Sequence, residues 1–69
     1  MSPPRTGRVI EFDEHVGLGV VADGADETFP FHCTQIVDGS RTIDVGTSVV
    51  FVVVENRPKG PEAYEISKI

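Results

Sequence analysis

Leucine, cysteine and tryptophan are almost missing from this chain of 69 residues, which has one Leu (Leu18), one Cys (Cys33) and no Trp. With three Ala besides, little is left from which to build a helix. No stretch repeats apolar residues at the spacing of three and four that a helix needs, so at most one short helical turn is expected. A lone cysteine excludes an intrachain disulfide, and no paired Cys/His spacing offers a zinc site. No cofactor of any kind is expected. No segment approaches the roughly 20 apolar residues of a membrane span. Met1-Ser2-Pro3-Pro4-Arg5 lacks the apolar core of a signal peptide, and with a single free thiol this points to the cytoplasm. Positive charge is scarce: six Lys and Arg stand against eleven Asp and Glu, a formal net charge of -5. That balance disfavours binding driven by phosphate neutralisation alone, but not nucleic acid held by stacking.

What is abundant is β-branched. Eleven Val and five Ile fit a pleated surface and lose rotamer freedom in a helix. Seven Gly and five Pro punctuate the chain every few residues. The pattern predicts a loose leader over residues 1–5 and one domain over 6–69. Five strands are expected: Gly7 to Asp13, Gly17 to Ala22, Thr28 to Cys33, Thr47 to Glu55, and Glu62 to about Ser67. Asp23-Gly24 is a turn signal, and Asn56 to Pro61 is a breaker-rich loop. Short strands, tight turns and one long connection define an all-β, five-stranded antiparallel barrel of the oligonucleotide-binding (OB) type. A domain this size buries only roughly 60% of its unfolded surface, so closing the sheet matters to its stability.

Alternation sorts the faces. Phe29 and Phe31 share the core face of strand three, opposite Pro30 and His32. Leu18 and Val20 oppose Gly17, Gly19 and Val21, and Gly19 permits close backbone approach or strong coiling. Strand four is apolar on both sides, with Val49, Phe51 and Val53 on one and Val50, Val52 and Val54 on the other. Val50 and Val52 are therefore either covered by the leader or a loop, or a contact patch for a protein partner or a second copy forming a homodimer.

The segments Gly7-Arg8-Val9, Phe12-Asp13, Gly17-Leu18-Gly19 and Phe31-His32, followed by Ile36, Gly46, Val49-Val50-Phe51 and Gly60-Pro61-Glu62-Ala63, resemble the bacterial cold-shock proteins from about Gly7 to Lys68. The chain loses a residue near Ser40 and gains one near Pro58 relative to that pattern. The resemblance implies the five-stranded barrel and the binding of single-stranded RNA or DNA through aromatic rings on strands two and three. The rings themselves are largely replaced. Glu11 stands where the family carries a tryptophan; Leu18, Val20, Pro30 and Cys33 stand where it carries phenylalanines. Another ring expected near Ser40 is missing, and Ile10 replaces a lysine. His32 and Phe12 remain. Each stacked base contributes about 1 to 3 kcal/mol, so weakened or altered binding is expected.

The candidate nucleic-acid-binding residues are Arg8, Phe12, Leu18, Val20, His32, Arg41, Arg57 and Lys59. His32 reads either as a base- or phosphate-contacting side chain or as a solvated strand histidine. The four basic residues read either as a phosphate-binding rim or as an ordinary mixed-charge surface. Cys33 reads as a small apolar residue at a strand end, because no positive neighbourhood marks it as reactive. The pairs Asp13/Glu14 and Glu62/Glu65 read as turn formers and solvated residues, since a filled small barrel offers carboxylates no concave pocket. Gly17-Leu18-Gly19 lacks the third glycine and following helix of a phosphate loop. No nucleophile–base pair can be assembled, and an enzyme is not expected.

Overall fold

The computed structural model describes residues 3–55, 58 and 60–69. Five strands follow in chain order: β1 (Arg5–Asp13), β2 (Leu18–Asp23), β3 (Thr28–His32), β4 (Ser48–Val54) and β5 (Glu62–Lys68). All neighbours are antiparallel, in the spatial order β3-β2-β1-β4-β5. The expected strands are therefore present, with small differences at their ends. β1 begins at Arg5, two residues earlier than alternation indicated, because Arg5 and Thr6 pair with Phe51 and Val50. β3 stops at His32, one residue early, because His32 caps a 3₁₀ turn at Cys33–Gln35. The loop after β4 lies partly outside the described residues, as do Arg57 and Lys59.

The sheet curls until its edges, β3 and β5, face each other. No ladder joins them. Ile36, just past the 3₁₀ turn, instead forms a parallel bridge with Ile66, and the N–H of Val37 donates to the Ile66 carbonyl at 3.0 Å. The Glu65 N–H reaches the Gln35 side-chain oxygen at 3.4 Å. The barrel thus closes beside a helical turn rather than through a fifth ladder.

Inside lie Val9, Val21, Phe29, Phe31, Ile36, Ile43, Val49, Phe51, Val53, Ala63 and Ile66, all buried. Each large side chain so buried contributes about 1.5 to 3 kcal/mol before the entropy of ordering is counted. Phe29 packs on Phe51 with ring centroids 5.9 Å apart. Gly19 has a specific reason to be glycine. A Cβ there would sit 2.5 Å from the Phe31 ring and 2.9 Å from the Glu11 carbonyl oxygen. The close approach expected at Gly19 is therefore the approach of a core ring across two strands.

Two register shifts shape the sheet. In β1, Val9 opposes Val21 but Glu11 opposes Val20, so Ile10 is an extra residue. In β5, Ser67 opposes Val50 but Tyr64 opposes Val52, and Glu65 adopts a positive φ of 55° at the irregularity. Such bulges bend and coil a strand, which helps a five-stranded sheet close.

The outer valines of β4 are half-buried, not exposed. Val50 lies between Thr6 and Ser67, and Val52 opposite Tyr64. Neighbouring strands thus cover them in part, and the patch available to a second copy is narrower than the sequence pattern indicated. The more exposed apolar side chains are Ile10, Val16, Leu18, Val37, Val45 and Ile69.

Candidate nucleic-acid interface

The outer face of β1, β2 and β3 is built from cross-strand rungs. Pairing fixes three of them: Arg8–Ala22–Thr28, Glu11–Val20–Pro30 and Asp13–Leu18–His32. Leu18 is 52% exposed and Val20 half-buried, while Pro30 and His32 are exposed. β3 accepts Pro30 with no shift in register, as an edge strand can. Neither Leu18, Val20 nor Pro30 enters the core, so this face is aliphatic where the family resemblance implies rings.

Phe12 is only half turned to solvent. Strict alternation from buried Val9 would turn it outward with Arg8 and Ile10. The extra residue at Ile10 reverses that phase. Glu11 faces solvent, and Phe12 is half-buried with its ring stacked on Phe31 at a centroid distance of 6.1 Å. Phe12 is thus mainly a support beneath the face. Its accessible part helps line a shallow depression of about 430 Å³ together with Ile10, Glu11, Leu18, Val20 and Val45. Ile10 and Val45 were not among the expected site residues. Val45 comes from the long connection before β4, which local alternation does not place.

His32 sits at the end of the lowest rung. Its Nδ1 accepts from the backbone N–H of Thr34 at 3.2 Å and lies 3.0 Å from the Thr34 hydroxyl. With Nδ1 accepting, the neutral ring carries its proton on Nε2. Cys33 packs half-buried against the core, and its N–H donates to the Gly17 carbonyl at 2.7 Å. Gly17 has a φ of 70°, and a Cβ on it would lie 2.8 Å from the Cys33 sulfur. These contacts fix the backbone beside His32.

The basic residues divide. Arg41 and His32 share a second depression of about 350 Å³ with Thr34, Ile36 and Ser40, adjoining the aliphatic one through the His32–Leu18 pair. Arg8 lies toward the opposite end, near Asp23 and Asp26. Neither Arg8 nor Arg41 forms an ion pair among the described residues. Arg5 and Lys68 do, and are not available. Arg5 pairs with Asp23 at 3.0 Å, and Lys68 with Asp38 at 3.2 Å. Backbone N–H groups, that of Ala25 first, hold the Asp23 carboxyl below its ordinary pKa, with further help from Arg5. The Ser40 N–H does the same for Asp38, followed by the Ser40 hydroxyl and Lys68. Asp13 caps the β1–β2 turn by accepting from the His15 N–H at 2.9 Å, as expected of a turn former. Among the described residues no group of three metal-ligating side chains occurs, and no helix is long and apolar enough to cross a membrane.

A curled five-stranded antiparallel sheet in this strand order defines the class of small OB-type barrels. Residues 5–69 match the family model described as the 'Cold-shock' DNA-binding domain, and the chain belongs to that family. It is 33% identical to the cold shock-like protein CspLB of Listeria monocytogenes over 66 residues, covering 94% of this chain and 98% of that one. Its fold superposes on the Drosophila structure described as Unr CSD456 with a TM-score of 0.80 and 25% identity. That match takes in 99% of this chain but spans only 27% of the longer one. Cold-shock domains are nucleic-acid-binding modules that take single strands, and they are not enzymes.

Proposed function

We propose that this chain binds single-stranded RNA or DNA more weakly than a ring-bearing cold-shock domain, as a small protein of the bacterial cytoplasm. The observation carrying this is the face itself. It keeps the family's open three-strand geometry, while Leu18, Val20 and Pro30 replace flat stacking surfaces with aliphatic ones. In this reading His32 donates from Nε2, while Arg41 beside it and Arg8 at the far end meet phosphates. Phe12 holds the floor. A micromolar complex needs only about 8 kcal/mol in all, so losing several stacking contacts of about 1 to 3 kcal/mol each is decisive.

The test is a titration of isotope-labelled protein with mixed single-stranded oligonucleotides, followed by NMR. Shifts clustered at Leu18, Val20, His32 and Arg41 support the reading. No shift at near-millimolar oligonucleotide overturns it.

A further inference from the structure

Glu11 occupies the position at which the family resemblance implies a stacking tryptophan. The bulge at Ile10 sends it outward, and pairing places it opposite Val20, on the middle rung. It lines the same depression as Ile10, Leu18 and Val20, with Asp13 at that site as well. It is exposed and makes no ion pair or side-chain hydrogen bond among the described residues. A carboxylate there repels every phosphate that approaches within a Debye length of about 8 Å, so it lowers affinity for all sequences alike. It does not act alike on the bases.

The edges of unpaired bases differ in what they offer a carboxylate. Uracil and thymine present one N–H between two carbonyl oxygens, so the approaching oxygens meet repulsion on both sides. Cytosine and adenine present an amino group beside an acceptor nitrogen, which gives one good hydrogen bond. Guanine alone presents N1–H and the 2-amino group side by side. They match the two carboxylate oxygens with a pair of parallel, charge-assisted hydrogen bonds. Single-stranded bases are splayed out with these edges free, unlike those in a duplex. Ile10, Leu18 and Val20, which line the depression with Glu11, offer apolar contact to a base bound there.

We infer that Glu11 is the specificity-determining residue of the interface, selecting guanine and turning away uracil and thymine. This rests on the single-strand-binding reading above. A bidentate contact of this kind discriminates by about tenfold.

The experiment measures affinity by fluorescence anisotropy for a short oligouridylate, the same oligomer with guanine at its centre, and the same oligomer with inosine there. Inosine keeps N1–H and lacks the 2-amino group. Wild-type protein is compared with Glu11→Gln, whose folding is checked by circular dichroism. The expected result is guanine about tenfold tighter than uridine, with inosine between them. In Glu11→Gln the three affinities converge to within about twofold, while binding of oligouridylate improves. Equal affinities in the wild type, or a guanine preference that survives Glu11→Gln, overturn this inference and leave the single-strand reading standing. No binding of any oligomer by either protein overturns both.

Discussion

The Asp23 carboxylate and the Arg5 guanidinium join the end of β2 to the start of β1 at 3.0 Å, with the guanidinium lying 5.2 Å above the centre of the buried Phe29 ring. The other oxygen of Asp23 accepts from the N–H groups of Ala25 and Glu27, at 2.9 and 3.0 Å. One acidic residue therefore organises the β2–β3 turn, anchors the first residue of β1 and steers a cation onto a core ring.

Because Asp23 and Asp38 both have lowered pKa values, their contribution to stability is present above the ordinary carboxylate value of 3.8 and is lost as pH falls through the folded values. Thermal melts are expected to show a falling midpoint as pH drops below that value. Asp23→Asn should melt below the wild type at neutral pH and approach it in strong acid. A constant gap at all pH values would show that the carboxylate charge contributes nothing.

Gly19→Ala places a methyl group against Phe31 and the Glu11 carbonyl. Overpacking of this kind costs about 1 to 3 kcal/mol. Urea unfolding should show that loss with little change in its slope. The variant should also bind oligonucleotide less well, because β2 carries Leu18 and Val20.

Two non-glycine residues hold positive φ, Asp26 at 64° and Glu65 at 55°. Left-handed backbone costs a long side chain about 1 to 2 kcal/mol, and glycine's extra freedom in the unfolded chain returns about half of that. Glu65→Gly should therefore be stabilising by about 0.5 to 1 kcal/mol. Asp26→Gly should be close to neutral, since aspartate tolerates this region. Denaturation midpoints of the two variants, measured side by side, check the difference.

Leu18→Phe with Val20→Phe restores two rings to the middle of the face. At about 1 kcal/mol or more per stacked base, affinity for a short single strand should rise at least tenfold. Isothermal titration calorimetry on the parent and the double variant measures it. Equal affinities would mean that stacking is not what limits the parent.

Few cations are available on the face, so the salt dependence of binding should be shallow. Each phosphate contact on a single strand contributes about 0.7 to the slope of log affinity against log salt. Arg41→Ala should reduce that slope by about this amount, and so should Arg8→Ala. Arg5→Ala, whose cation is already paired, should lower stability and leave the slope unchanged.

Much of this is legible in the sequence. Period-two alternation placed Phe29, Phe31, Val49, Phe51 and Val53 inside, and Leu18, Val20, Pro30 and His32 outside, because within one unbroken strand a side chain's face depends only on its position. Those same residues showed that the outer face had lost its rings. Alternation alone misplaces Phe12 and Glu11, and it is the family resemblance that puts Glu11 on the ring-bearing face. Their faces depend on one extra residue at Ile10, and a bulge is decided by how Gly19, Phe31 and β2 fit against β1, not by β1 itself. The closure of the barrel at Ile36–Ile66 and the division of the cations into paired Arg5 and Lys68 and unpaired Arg8 and Arg41 are of the same kind. They join residues about thirty positions apart or set Asp23 and Glu27 beside Arg5 and Asp38 beside Lys68. The sequence by itself determined the strands, the core and the aliphatic character of the face. Only the tertiary structure decided which charges that face presents, because charge pairing and strand register are properties of neighbours in space.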